Sequence, residues 1–204
     1  MSKNLEKIFN FLHISEKLKR SFRYSTINYK IKDSSADHSW HLSLMVFIIA
    51  RELNLKINIE HALKIAIVHD IAESLTGDID YVLISTGKIS KKQKQKMEGL
   101  AIEKIKKSLP SGAGQEVSDL WNEYEQAKTP EAKFVKALDK IEAMVQMYEA
   151  GYKVIDFPEI IATYADKPVA DFPKLKPVLK IIKQKLKKEF KKGNFPWKKE
   201  YDKV

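Results

Sequence analysis

Apolar side chains return at three- and four-residue steps along most of this 204-residue chain, and that period commits it to helices. Leu5, Ile8, Phe9 and Leu12 keep the step, and Ile14 and Leu18 resume it after a break. Leu42, Met45, Val46 and Ile49 hold it through a second segment, Leu63, Ile67 and Ile71 through a third, and Phe134, Leu138, Ile141, Val145 and Tyr148 through a later one. Glycine and proline, seven of each, are too few to punctuate a turn-rich β architecture. The expectation is an all-α chain with a single domain, since 204 residues bury one sizeable core and do not demand two.

The local signals place the segments. A bent helix or helical hairpin opens the chain, and Arg20 to Asp33 breaks its rhythm. A strong helix starts after Ser34-Ser35, runs through Leu53 and ends at Asn54. A third opens at Asn58 to His61 and runs on toward Gly77, a C-terminal stop. Ser85 to Ser90 reads as a loop, and Lys91 to Leu109 as an exposed helix closed by Pro110-Ser111-Gly112. Another helix covers about 116–128. Thr129 caps the next, with Pro130 at its first position and Gly151 at its end. Ile155 to Pro173, with three prolines, reads as a short helix within a surface excursion, and a lysine-rich helix follows. The expected domain spans residues 1–172 with its motifs at about 34–150, and 173–204 packs on it or extends it.

Composition removes several kinds of chemistry. There is no cysteine, which excludes a disulfide framework, a thiolate metal site and a cysteine nucleophile; any metal must take His, carboxylate or water. The opening Met1 to Lys7 lacks the apolar stretch of a secretory signal, and the longest apolar run, Met45 to Ala50, is too short to cross a bilayer, so the expected compartment is the cytoplasm, without a membrane partner. The net charge of +10 suggests nucleic acid only until its distribution is considered. From Lys174 to Val204 twelve lysines face Glu189, Glu200 and Asp202, which leaves the rest of the chain near neutral. That segment reads as a solvated helix face, and nucleic acid is not the expected partner.

Three segments carry candidate chemistry. His69 and Asp70 are adjacent and Glu73 lies four and three residues beyond them, so a helix gathers all three on one side. A capped helix end with His69 hydrogen-bonded in the core fits that pattern too. His38 stands four residues before Leu42 and seven before Met45, on the core-facing stripe, where a polar ring requires a partner. His41 and His61 have no matched carboxylate and stay outside the candidate site. Asp139 sits in an otherwise apolar helix between Leu138 and Ile141, an expensive place for a carboxylate unless a cation, solvent, Lys136 or Lys140 satisfies it. Two imidazoles and two carboxylates suit one divalent ion, Mn²⁺, Fe²⁺, Co²⁺, Zn²⁺ or Mg²⁺, with positions left for water.

An isolated His, a His-Asp pair and a distant Asp, here His38, His69-Asp70 and Asp139, resemble the HD-domain superfamily of metal-dependent phosphohydrolases. More narrowly the chain is similar to the 5′-deoxynucleotidase branch. The similarity lies in Ser35-Ala36-Asp37-His38-Ser39, His69-Asp70-Ile71-Ala72-Glu73-Ser74, Leu75-Thr76-Gly77-Asp78 and Glu131 to Lys140, within roughly residues 5 to 150. The resemblance implies an HD-type helical bundle, with His38, His69, Asp70 and Asp139 as metal ligands and Glu73 as the carboxylate beside the attacking water. It implies that Asp78 contacts the sugar and that Arg23, fifteen residues before His38, binds the phosphate. Where those enzymes usually place a Trp against the sugar, this chain has Tyr24, which bears on selectivity against the 2′-hydroxyl.

The implied reaction is hydrolysis of a nucleoside 5′-monophosphate, the ion bringing the pKa of its water from about 15.7 toward neutrality and Glu73 orienting or deprotonating that water. Arg23 adds a cation of fork geometry for the phosphate. The resemblance also implies a homodimer. Two alternatives remain at this level: an HD phosphohydrolase for another phosphate ester or a nucleotide polyphosphate, and a basic nucleic-acid-binding or scaffold protein with a structural metal. Guanosine-tetraphosphate hydrolases usually continue Glu-Asp where this chain has Glu73-Ser74, and Gly151-Tyr152-Lys153 is not the Gly-Tyr-Pro of the cyclic-di-nucleotide branch.

Overall fold

The computed structural model of the chain describes residues 2–24 and 33–203. Its helices, in order, are α1 (Ser2–Ser15), α2 (Ser35–Glu52), α3 (Ile59–Val68), α4 (Glu73–Thr76), α5 (Tyr81–Ser85), α6 (Lys91–Ser108), α7 (Ser111–Gln126), α8 (Pro130–Ala150), α9 (Pro158–Thr163), α10 (Asp166–Asp171) and α11 (Lys176–Lys192). Among the described residues there is no strand beyond an isolated bridge between Phe22 and Ser34, and the all-α expectation holds. None of their helices is long and apolar enough to cross a membrane. Part of the expected break between Arg20 and Asp33, residues 25–32, lies outside the described residues. Two compact units divide the chain: residues 2–43 with 63–126, and residues 44–62 with 127–203.

In the first unit, α6 packs along α7, and α1 and α4 close on α6. Leu18, Ile71, Ala72, Ile102, Ile105, Leu109 and Trp121 form its buried core, against which Ile8, Phe11 and Val68 pack. Each large apolar side chain removed from water in this way contributes about 1.5–3 kcal/mol. The apolar face of α1 is wider than the core it covers, and Leu5, Phe9 and Leu12 stay exposed. α7 begins at Ser111, five residues before the expected start. The Pro110 carbonyl accepts the Gly114 N–H at 2.8 Å, so the Pro-Ser-Gly stretch opens a helix instead of linking two. Gly114 is required there: a methyl group would run into the Lys106 carbonyl oxygen of α6.

The third segment is not one helix. α3 ends at Val68, and the bonds then tighten to three-residue steps, Ile71 N–H to the Val68 carbonyl at 2.9 Å and Glu73 N–H to the Asp70 carbonyl at 2.9 Å, before α4. Ile71 and Ala72 are buried while Ile67, expected on the apolar face, is exposed.

In the second unit α8 is the axis, with α10 and α11 packed against it and α9 beside them. Thr129 Oγ1 accepts the Ala132 N–H at 3.2 Å, Pro130 occupies the first turn, and Gly151 ends the helix at φ 85°, as expected. Ile155 to Pro173 is more than a surface excursion: it holds two short helices that bury Ala162 and Val169, with Ala165 buried between them. Phe172 meets Phe134 with ring centroids 5.4 Å apart. The lysine-rich α11 is amphipathic, burying Leu179, Ile182, Leu186 and Phe190, and the tail returns to place Phe195 and Trp197 edge-on to Phe190 at 5.8 and 5.0 Å.

Candidate metal centre

His38 lies one turn into α2 and His69 directly after α3, and both rings are buried. His69 Nδ1 is 2.8 Å from the Ala66 carbonyl oxygen. A carbonyl only accepts, so Nδ1 carries the proton and Nε2 of the neutral ring presents a bare lone pair. The Tyr124 ring of α7 meets the imidazole edge-on, with centroids 5.1 Å apart, and holds it in that plane.

That lone pair faces other acceptors. His69 Nε2 is 3.1 Å from Asp70 Oδ2 and 3.2 Å from His38 Nε2, and His38 Nε2 is 3.8 Å from the same carboxylate oxygen. Three donor atoms with converging electron density are stable only around a proton or a cation. With ligand bonds of about 2.1 Å, neighbouring ligand atoms stand about 3.0 Å apart at a right angle and about 3.4 Å apart in a tetrahedron. The observed separations suit one small divalent ion, and the donors, imidazole nitrogen and carboxylate oxygen, are those such ions take. The local chain makes this possible: the tightened turn at 69–72 brings Asp70 beside His69, and the buried Ile71 and Ala72 fix that turn.

Glu73 is buried next to this cluster and accepts a hydrogen bond from Ser35 Oγ at 2.5 Å. Burial, then the charges of Asp70 and Asp78, push its carboxyl well above the ordinary 4.5. Ser35 was not among the expected site residues, although its place three residues before His38 puts it on the same face of α2. Ser21, also unexpected, binds the pieces together: its carbonyl accepts the Ser35 N–H at 2.8 Å and its hydroxyl accepts the Asp78 N–H at 2.9 Å. Asp78 follows Gly77, whose φ of 71° turns the chain after α4. Burial raises the Asp78 carboxyl, while Arg23 pulls it back down.

Arg23 is held on the same side. Its N–H reaches the Asp33 carbonyl at 2.9 Å, its Nη1 lies 3.4 Å from Asp33 Oδ2, and its guanidinium sits 5.1 Å from the centre of the Tyr24 ring. Tyr24 adopts φ 56°, a left-handed conformation that costs a non-glycine residue about 1–2 kcal/mol. Such strain persists where surrounding contacts over-determine it. The first unit therefore gathers Arg23, His38, His69, Asp70, Glu73 and Asp78. Asp139 stands on α8 in the second unit, buried, with Lys140 Nζ 2.8 Å from its Oδ2 and the Lys140 ammonium 5.3 Å from the centre of the Tyr164 ring. His41 and His61 are half-buried, on α2 and α3.

A helical chain with a His-His-Asp cluster beside a buried glutamate defines a class, and the comparisons agree: the HD domain family model matches residues 15–176, and this chain belongs to that family. The 5′-deoxynucleotidase HDDC2 of Danio rerio is 34% identical to it over 147 residues, 71% of this chain and 70% of the fish protein. The 5′-deoxynucleotidase hdd1 of Schizosaccharomyces pombe is 38% identical over 148 residues, 70% of this chain and 71% of the yeast protein. Among solved structures, a predicted metal-dependent phosphohydrolase from Magnetospirillum magnetotacticum aligns over 95% of this chain and 96% of its own with a TM-score of 0.74; at 22% identity that likeness speaks to the fold.

Proposed function

We propose that the chain is a metal-dependent phosphomonoesterase that removes the 5′-phosphate of nucleoside monophosphates, deoxynucleotides among them. The observation that carries this reading is the convergence of His38 Nε2, His69 Nε2 and Asp70 Oδ2 beside a buried glutamate held by Ser35. It is supported by two relatives, more than 30% identical, that are 5′-deoxynucleotidases.

In this reading His38, His69, Asp70 and Asp139 hold one divalent ion, of which Mn²⁺, Co²⁺, Fe²⁺, Zn²⁺ and Mg²⁺ are the candidates. His38, His69 and Asp139 are all buried and each offers one ligand atom. Bound there, the ion supplies the Lewis acidity that makes water nucleophilic near neutral pH. Glu73 takes the proton of the attacking water, a role suited to a carboxyl already raised by burial; Ser35 fixes one of its oxygens and leaves the other for that water. The water oxygen bonds to phosphorus, the ester bond to the 5′-oxygen breaks, the proton taken up by Glu73 passes to the departing 5′-oxygen, and nucleoside and inorganic phosphate leave. Arg23 receives the phosphate, Asp78 the sugar hydroxyl, and Tyr24 packs on the sugar.

We further propose that residues 1–172 form the functional domain with α11 and the tail as its extension, and that the protein works in the cytoplasm as a homodimer. Trp40, Leu44, Phe47 and Ile48, exposed at successive turns of α2, support a self-complementary face. Phosphate release from paired deoxyribo- and ribonucleoside 5′-monophosphates, after chelation and with each metal restored, tests the function. Release from the deoxy compounds alone supports a 5′-deoxynucleotidase; equal release from both sugars removes the deoxy preference, and no release with any metal defeats the reading. Light scattering that gives a monomer mass defeats the dimer.

A further inference from the structure

Residues 21–23 run extended beside residues 33–35. Arg23 N–H donates to the Asp33 carbonyl at 2.9 Å and Ser35 N–H to the Ser21 carbonyl at 2.8 Å, on either side of the bridge between Phe22 and Ser34. Side chains alternate along an extended segment, so Ser21 and Arg23 share one side and Phe22 takes the other. Phe22 is exposed, whereas Ser21 is buried and meets Ser35, itself fully buried. Two hydroxyls removed from water are costly unless their donors are satisfied, and alanines would fill nearly the same space without that demand. Local packing therefore gives no account of the pair.

The hydroxyl protons can be followed in turn. Ser35 has one, and its shortest contact, 2.5 Å, is to Glu73 Oε2, an acceptor. That proton is committed, so in the 3.2 Å contact between the two hydroxyl oxygens Ser21 is the donor. Ser21 Oγ accepts the Asp78 N–H at 2.9 Å. The bonds run one way, from the Asp78 amide through Ser21 and Ser35 to Glu73, and in such a chain each bond polarises the next. The direction survives turnover, because a proton taken up on the other oxygen of Glu73 leaves Oε2 an acceptor. Ser21 is itself anchored: its N–H donates at 3.2 Å to the carbonyl of Leu18, a residue of the first unit's core. One hydroxyl oxygen thus sets two carboxylates that lie on either side of the Gly77 turn.

We propose that Ser21 is a positioning residue for both carboxylates, coupling the hold of Asp78 on the sugar to the aim of Glu73 at the attacking water, with Ser35 as the relay to Glu73 alone; this role rests on the phosphomonoesterase reading above. The two arms act on different constants. Asp78 binds substrate and shows in KM, whereas Glu73 acts at the chemical step and shows in kcat.

Steady-state kinetics of the full-length protein loaded with Mn²⁺, on a deoxyribonucleoside 5′-monophosphate, separate the arms, and hydrogen exchange of the Asp78 amide in the metal-free protein reads the chain without turnover. Ser35→Ala is expected to lower kcat about tenfold or more, the loss of one bond to a charged group, with KM within about twofold of wild type. Ser21→Ala keeps the carbonyl that holds the Ser35 N–H, so the bridge remains. It is nonetheless expected to lower kcat and to raise KM, each about threefold or more, and to speed Asp78 exchange about tenfold. Ser21→Thr keeps a hydroxyl on an extended backbone and restores all three. A purely structural role would lower the melting temperature of Ser21→Ala without this division between KM and kcat. Either constant within about twofold of wild type in Ser21→Ala, or an unchanged Asp78 exchange rate, overturns the proposal. If that variant does not fold, both constants within about twofold of wild type in Ser21→Cys, which keeps the shape and weakens the donor, overturn it instead. An active wild type matched by Ser21→Ala removes this inference alone, while a wild type inactive with every metal removes the proposed function and this role with it.

Discussion

Each unit of the molecule places a lysine beside a carboxylate, and the two pairs are arranged in opposite senses. In the second unit the cation is inside: Lys183 has 3% of its side chain exposed, lies 2.6 Å from Asp166 Oδ1 and gives a second bond at 2.8 Å to the Lys203 carbonyl. α11, α10 and the tail are tied at one point, and every short distance is spent within the fold. In the first unit the acid, Glu98, is inside and the cation, Lys94, reaches out, with a looser contact. A buried ammonium held by a carboxylate and a carbonyl ties separate segments of the chain together, as a latch requires. The two pairs thus differ in which partner is desolvated, the cation in the second unit and the carboxylate in the first.

The largest expected effects fall on the first unit's chemistry. Glu73→Gln preserves an acceptor for Ser35 and removes the proton acceptor, so kcat is expected to drop about 10²–10⁴-fold with the Mn²⁺ content of the purified protein unchanged. Turnover within about twofold of wild type would take Glu73 out of the mechanism. His69→Ala is expected to lose turnover and metal together, visible by elemental analysis, because it opens the convergent trio at its centre. Metal retained at full stoichiometry would place the ion elsewhere.

Stability reverses the ranking of the units. Asp166→Ala leaves Lys183 buried with only the tail carbonyl, at a cost of about 3–5 kcal/mol in urea unfolding, while kcat per folded molecule stays at the wild-type value. Lys94→Met is expected to change unfolding free energy by less than about 0.5 kcal/mol. Equal losses in the two variants would erase the distinction between a buried latch and a partly exposed pair.

The sequence made the site more legible than the path of the chain. His38 could be singled out because a ring on an apolar stripe needs a partner, and His69, Asp70 and Glu73 because their spacing gathers them under either a helix or the tighter turn that is found. The turn itself was not legible, since it is set by the Ala66 carbonyl on the imidazole and by the burial of Ile71 and Ala72, contacts that periodicity does not encode. Ser35 and Ser21 act through bonds to residues 38 and 57 positions away. α6 reads as a charged, exposed helix because the burial of Glu98 depends on what packs over it. Pro110 and Ser111 carry the same letters whether they close one helix or open the next, and the Gly114 approach to Lys106 decides it.

The smallest effect separates the units by pH. In the folded, metal-free protein Glu73 binds its proton more tightly than in the unfolded chain, because burial and the Asp70 and Asp78 charges raise its carboxyl well above 4.5. The native state then carries more protons than the unfolded one, and stability from this group is full below 4.5 and declines as pH rises toward the raised value. Glu73→Gln removes that dependence. The melting temperature of the metal-free wild type should therefore fall progressively behind that of Glu73→Gln as the pH is raised from about 4.5 toward neutrality. Mn²⁺ should narrow the gap, since a cation beside Asp70 cancels much of the repulsion on Glu73. A gap independent of pH would mean that Glu73 is not strained by its surroundings, and the contrast between a first unit that stores charge for a ligand and a second that neutralises its own would fail at the residue where it should be sharpest.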